Sequence, residues 1–408
     1  MEDIFLKRLV IQKVRHLKGI EITLSDVERK HLILTGKNGS GKTSLLEAIN
    51  RLLPNLLNPP NHVFDKLMEK QRLKDEIARI KASPNPAAPF GSAYGTIENI
   101  EARIKETDKA IFDAAKEVIP IFNDIKLLQN RDRKTFITHT YSAYRKIDFS
   151  PVSTITKITY GRFIKAQNEV PNRPVGMESP EFIQYLINLR NKKAVAYEAN
   201  QMDLWNQLEN YFKEIENIFK RIFGDDSIEM EFNLDQFEVL INQKGREKYT
   251  LRELPAGYAS LLKMVIDILM NTEIKGVNPS ELQGVVLIDE IENHLHVELQ
   301  KQIFPLLISI FPKIQFIIST HSPFVVNSIE NAIVYDLEKQ IRVEDLSGYS
   351  YEGIVESYFD VDKYSTKLKD NLENYRILVQ KEVLPDDEKL TKIKLESYLE
   401  NIPSFLSK

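Results

Sequence analysis

Apolar and polar positions alternate with period two over Ile4–Val14 and again over Ile20–Leu24, the pattern of two half-exposed strands joined as a hairpin. HLILTG (His31–Gly36) is a short apolar run ending in glycine, a buried strand entering a turn. From Thr43 to Leu53 the apolar residues Leu45, Leu46, Ile49, Leu52 and Leu53 fall at helical spacing, and Pro54 is expected to stop that helix. Mixed-charge helical patterns follow over Val63–Lys81 and Thr96–Glu117. Between them, SPNPAAPFGSAYG (Ser83–Gly95) cannot be helical. The pair reads as a helical hairpin inserted after Asn58-Pro59-Pro60, with arms of some 30 Å at about 1.5 Å per residue. It serves either local packing or the docking of a partner.

Further along, Phe136–Tyr144 returns to strand character, and Pro180–Phe223 is mostly helical with Trp205, Leu208, Tyr211, Phe212, Ile215 and Ile218 on one stripe. Ser227–Ile241 reads as two strands about Asp235-Gln236, and Ala256–Asn271 as a strongly apolar helix. Val285–Asp289 and Ile314–Ser319 are apolar strands with a helix, Val297–Phe311, between them. That β-α-β order predicts parallel strands buried on both faces. Residues beyond about 350 read as charged helices.

Composition narrows the class. A chain of 408 residues exceeds one compact domain and predicts a core with insertions or two domains. A net charge of -4 excludes a wholesale basic protein, so nucleic-acid contact would need a local patch such as Lys7, Arg8, Lys13, Lys18, Arg131, Arg133 and Lys134. With no cysteine, disulfides and thiolate metal sites are excluded, which fits a reducing compartment. No apolar run approaches the roughly 20 residues of a membrane span, and the N-terminus lacks a signal-peptide core. A cytoplasmic protein without membrane contact is expected.

Three segments carry chemistry. Gly36-x-x-x-x-Gly41-Lys42-Thr43 is a phosphate loop between an apolar strand and a helix. Its glycines let backbone N–H groups curl around a phosphate at a helix N-terminus. Lys42 would reach the β- and γ-phosphates, and the Thr43 hydroxyl would ligate Mg²⁺. The second segment is VVLIDE (Val285–Glu290), a buried strand ending in two carboxylates, which need a cation or a reaction to justify them. Asp289 is expected to hold Mg²⁺, and Glu290 to polarise the attacking water. In IISTHSP (Ile317–Pro323), His321 follows the next apolar strand, where it could bond the γ-phosphate.

The order GKNGSGKT, LPAGYASLL (Leu254–Leu262), VVLIDEIENHLH (Val285–His296) and IISTHSP resembles the ABC-type ATPase heads, and within them the RecF, SMC and OLD-like branch of bacterial "AAA family" ATPases. FITHTYSAYR (Phe136–Arg145) is similar to a strand of that branch. The likeness covers Met1 to about Tyr335 apart from the hairpin. It implies an α/β fold, with a mixed sheet and antiparallel edge strands. The expected segments are a first head part over 1–57, the inserted hairpin over 58–117, a second head part over 118–348 and a helical C-terminal segment over 349–408. It also implies a head-to-tail dimer or higher homo-oligomer with two ATP molecules between heads.

Carried over by residue, the nucleotide contacts are Asn38, Gly39, Ser40, Gly41, Lys42, Thr43 and Ser44, with Arg15 from the first hairpin and Gly257 from the facing chain. Thr43 and Asp289 are the metal ligands, and Glu290 and His321 the catalytic pair. Glu292–His296 falls in the dimer-contact loop. The signature departs from the family: Pro255 stands where a serine hydroxyl is usual, and proline offers neither hydroxyl nor backbone N–H. Slow hydrolysis, well below roughly 10 s⁻¹, is expected. Asp360-Val361-Asp362 resembles a Toprim DxD, but fewer than about 60 residues follow the head, too few for a nuclease domain with its own core.

Stand-alone heads of this shape resemble PtuA of the Septu system and AriA of the PARIS system. That resemblance implies an ATP-driven sensor and scaffold in antiphage defence, with a separate effector, a nuclease. The alternative is a RecF-like repair ATPase that binds DNA directly. A third reading, with ATP as a structural ligand gating assembly, overlaps the first.

Overall fold

A computed structural model of the chain describes residues 3–57, 62–82, 97–125, 135–144, 179–233, 236–275, 277–359, 366–381 and 385–400. Ser83–Gly95, Arg131, Arg133, Lys134, Arg145 and Asp360–Asp362, all singled out above, lie outside them. The chain divides into two compact units, Met1–Gly348 and Tyr349–Lys408.

The strands of the first unit are β1 (Leu6–Val14), β2 (Leu17–Thr23), β3 (His31–Thr35), β4 (Val118–Phe122), β5 (Phe136–Tyr141), β6 (Glu229–Asn233), β7 (Glu238–Asn242), β8 (Tyr249–Thr250), β9 (Gln283–Ile288), β10 (Ile314–Ser319), β11 (Ala332–Asp336) and β12 (Ile341–Val343). Its helices are α1 (Lys42–Leu57), α2 (His62–Ala82), α3 (Ile97–Ala115), α4 (Ser179–Glu198), α5 (Met202–Phe223), α6 (Ala256–Lys275), α7 (Val297–Ile310) and α8 (Pro323–Val326).

The central sheet has the order β12-β11-β3-β10-β9-β5. Five strands are parallel and only β12, at one edge, runs antiparallel. β3, β9 and β10 are buried at every position, as expected of parallel strands covered on both faces. On one face lie α1 and the antiparallel sheet β2-β1-β4, sharing a core that includes Leu45, Ile49 and Leu53 of α1, Leu9 and Ile11 of β1, and Leu287 and Ile317 of the central sheet. Each such side chain stabilises the fold by about 1.5–3 kcal/mol. On the other face, Phe304 of α7 meets the Phe316 ring edge-on at 6.1 Å. A third antiparallel sheet, β6-β7-β8, packs against α4 and α5 through pairs such as Phe212 and Phe232.

Two expectations change. The first helix does not stop at Pro54 but runs to Leu57, forgoing the hydrogen bond that a proline nitrogen cannot donate. The long helical region ending at Phe223 breaks at residues 199–201 into α4 and α5. The inserted helices pack on one another, and Val63, Phe64, Leu67 and Met68 of α2 and Ile111 of α3 enter the core beneath α1.

In the second unit, α9 (Thr366–Gln380) and α10 (Asp386–Glu400) pack together, with Tyr375 donating to Glu396 at 2.8 Å.

Candidate functional site

The parallel register brings Tyr141, Ile288, Ser319 and Thr35, at the carboxyl ends of β5, β9, β10 and β3, to one edge of the sheet. Ligands collect at this edge in open parallel sheets, because backbone turns and helix N-termini face outward there.

The phosphate loop leaves β3 at Gly36 and enters α1 at Lys42. Gly41 has φ +100, and a Cβ there would stand 3.0 Å from Leu17 at the start of β2, so only glycine fits the close approach. The Lys42 ammonium is buried and donates to the carbonyls of Gly36 at 2.7 Å and Lys37 at 3.2 Å. Burial holds it below the usual lysine range, against the pull of Asp289, Glu290, Glu292 and Asp336. Ser40 and Ser44 are buried, and the Ser40 hydroxyl has no hydrogen-bond partner among the described residues. Asn38 and Gly39 are exposed at the tip.

The acidic strand end meets this loop directly. Thr43 Oγ1 donates to Asp289 Oδ2 at 2.8 Å, and the Ser319 hydroxyl donates to Asp289 Oδ1. Ser319 Oγ also accepts from the Glu290 backbone N–H at 2.8 Å. Glu290 itself has φ +45, an uncommon backbone state for a non-glycine residue. Lys37, Asn38, Glu290, Glu292, Asn293 and His321 line an open cavity of about 430 Å³ above the loop. Nε2 of His321 is enclosed without a hydrogen-bond partner among the described residues. Burial and then Lys42 hold that imidazole below its ordinary value, opposed by Glu292, Glu290 and Asp289.

Of the residues singled out in the sequence, the phosphate loop, Asp289, Glu290 and His321 therefore converge. Arg15 sits exposed, with φ +52, in the β1–β2 turn. Its neighbour His16 anchors that turn by donating from Nε2 to the Ser40 carbonyl at 3.1 Å. Gly257, at the start of α6, is not among the residues lining the cavity; a Cβ there would stand 3.0 Å from the His294 carbonyl. Pro255 is exposed just before that helix, its carbonyl capped by Ala259 N–H. Of the basic residues, Lys7 pairs with Asp26 at 2.7 Å and Arg8 with Glu21 at 2.8 Å, while Lys13 and Lys18 are exposed.

Sequence reasoning missed His16 and Ser319, and it read Glu292 and Asn293 only as part of a dimer-contact loop, whereas both line the cavity. Ser319 carried a signal, a hydroxyl closing the apolar run Phe316–Ile318 near an expected carboxylate. His16, Glu292 and Asn293 act through partners distant in the chain; Asn293, for example, donates to the Ala143 carbonyl at 2.8 Å.

The donor set fits magnesium. Among the described residues no cluster of three or more His, Asp or Glu could hold a metal alone. Mg²⁺ at a nucleotide takes one or two protein oxygens, with phosphates and water completing its shell. Thr43 Oγ1 and Asp289 Oδ2 would supply those oxygens.

With the loop on β3, the acids one strand beyond β10, and an antiparallel lobe laid over α1, the molecule is an ABC-type P-loop ATPase that binds nucleotide. It belongs to the family described as "AAA domain, putative AbiEii toxin, Type IV TA system", whose pattern matches residues 32–327. It is 24% identical to the "Retron Ec83 probable ATPase" of Escherichia coli over 94% of this chain and 85% of that protein. It is 25% identical to the Septu protein PtuA of Bacillus mycoides over 87% of this chain, spanning only 44% of the length of that relative. A shorter stretch, 20% of this chain and 21% of the other, is 43% identical to the DNA replication and repair protein RecF of Rickettsia typhi. Among the described residues no helix is long and apolar enough to cross a membrane.

Proposed function

We propose that the chain binds ATP with Mg²⁺ between two heads, hydrolyses it slowly, and serves as the sensor and scaffold of a bacterial antiphage complex whose effector is a separate protein, a nuclease. One observation carries the chemistry. Glu290 and His321 line one cavity above the loop that Lys42 and the Thr43–Asp289 pair build.

The roles follow from placement. The loop from Asn38 to Ser44 cradles the phosphates, with Lys42 neutralising β- and γ-oxygens. Mg²⁺ on Thr43 and Asp289, when bound, offsets the remaining phosphate charge. Glu290 takes the proton of the attacking water, and the products are ADP and inorganic phosphate. His321, whose imidazole is held below its ordinary value by burial and then by Lys42, offers its enclosed Nε2 to the γ-phosphate. Arg15, next to the His16 that bonds the Ser40 carbonyl, would reach the nucleotide from the β1–β2 turn. The cavity is open on one side, and the α6 N-terminus with Gly257 of a second copy would close it.

The defence role is supported by the retron and Septu relatives, which match over most of the chain. Direct DNA binding, the RecF-like reading, receives less support, since Lys7 and Arg8 already spend their charge on Asp26 and Glu21. The reading is tested by native mass spectrometry of the chain co-expressed with its neighbouring genes. With Glu290→Gln and ATP, a nucleotide-loaded assembly containing the effector is expected. A monomer without bound protein in ATP would contradict it.

A further inference from the structure

The carboxylate of Glu292 lies between the acidic strand end and the histidine turn, and each of its oxygens is occupied. Oε2 accepts the Thr320 hydroxyl at 2.7 Å, and Oε1 accepts the His321 backbone N–H at 2.6 Å. Thr320 Oγ1 in turn accepts from Ser322 N–H at 3.0 Å, and its own hydrogen goes to Glu292, whose carboxylate can only accept. The far side of the turn is held as well: Ser322 Oγ donates to Gln300 Oε1 at 2.7 Å, and the Gln300 amide donates to the Leu295 carbonyl at 2.8 Å. The Thr320–Ser322 turn is thus clamped to the 292–300 segment at two points. Charge-assisted hydrogen bonds of this length are among the strongest that side chains make.

We propose that Glu292 is a positioning residue for the hydrolytic step: by accepting from Thr320 and from the backbone of His321 it aims the imidazole at the nucleotide cavity. The proposal rests on the reading of the site given above. Glu292 is not the proton acceptor, because both oxygens already face donors that stay in place. Its two oxygens meet two donors, and a glutamine keeps only one acceptor there. Its amide would face either the His321 N–H, which cannot accept, or the Thr320 hydroxyl, which would have to reverse from donor to acceptor and give up the charge-assisted bond. The same clamp makes the loop after the acidic strand and the histidine turn move as one body. The His294 carbonyl that abuts Gly257 of α6 belongs to that loop. A change felt at His321 therefore reaches the α6 N-terminus through hydrogen-bonded neighbours rather than through loose loop.

The test is a double-mutant cycle on the full-length chain, read by single-turnover hydrolysis and by ATP affinity. Glu292→Gln should lower the rate about tenfold, the worth of one hydrogen bond to a charged group, with ATP affinity unchanged. In a His321→Ala background the same substitution should change the rate less than about twofold, because its target is gone. Thr320→Val, which keeps the side chain's shape, should show a smaller loss with the same dependence on His321. A second readout needs no turnover. Of the seven histidines, labelled at ¹³Cε1, the resonance that disappears in His321→Ala should shift in Glu292→Gln, while those of buried His31 and His139 stay.

An equal loss with and without His321, a parallel fall in ATP affinity, or an unmoved His321 resonance overturns the positioning role while leaving the ATPase reading intact. Hydrolysis indifferent to His321→Ala in the parent protein overturns that reading and the inference with it.

Discussion

Thr43 and Asp289, 246 residues apart in the chain, meet hydroxyl to carboxylate at 2.8 Å. The contact joins the first turn of α1 to the end of β9 and places two hard oxygens where a magnesium-bound triphosphate would lie. Asp289→Asn keeps the shape and removes the charge. It should abolish most of the Mg²⁺ contribution to ATP affinity, so that titrations with magnesium and with EDTA become alike. An undiminished magnesium effect would separate Asp289 from the metal.

Pro255 precedes α6 and offers no hydrogen to a phosphate. If the α6 N-terminus of one chain faces the γ-phosphate on another, Pro255→Ser restores a donor. Hydrolysis should then rise roughly 10- to 100-fold, the range for a hydrogen bond to a charged group. Unchanged hydrolysis, with intact dimerisation, would remove the signature from the catalytic account.

Acid should destabilise the fold before the carboxylates titrate. Burial pushes His31 down to about 3 and His139 down to about 4. His31 Nδ1 accepts the Phe316 N–H, which needs its lone pair. In the unfolded chain both take up protons near 6.5, whereas the folded form stays neutral. The unfolded state therefore binds more protons below pH 6.5, and stability falls as pH drops toward 4 and then 3. Each histidine contributes at most about 1.4 kcal/mol per pH unit. Urea midpoints measured between pH 7 and 4.5 should fall steadily, and His31→Gln should flatten that slope.

The parts of the site that the sequence made legible are those whose signal is local. β3, β9 and β10 each carry an apolar run, Leu32–Leu34, Val285–Ile288 and Phe316–Ile318, that ends at the glycine turn, the acids or a serine, and a strand buried on both faces requires such a run. β4 was not legible, because VIPIF carries Pro120. The structure tolerates it because β4 is an edge strand, with Pro120 opposite Leu9 of β1. β11 gave too short a pattern to read, although Ile333 and Val334 are buried beside β3. The resemblance placed Glu292 in a dimer-contact loop but gave it no part in the site, since its partners come from a turn 28 residues away. Gly284 likewise drew no attention. Its meaning lies across the sheet, where a Cβ would collide with the Ile137 carbonyl of β5.

The most direct measurement is calorimetric titration of ATP with Mg²⁺ into the parent protein and into Lys42→Ala. Lys42 is buried, donates to the backbone carbonyls of Gly36 and Lys37 and sits where the phosphates would enter. Saturable binding by the parent, lost or weakened at least about 100-fold in the correctly folded variant, is the expected result, as befits removal of a charge from the phosphate cradle. Equal affinity in the two proteins, or none in the parent, would contradict the assignment of this site to a nucleotide.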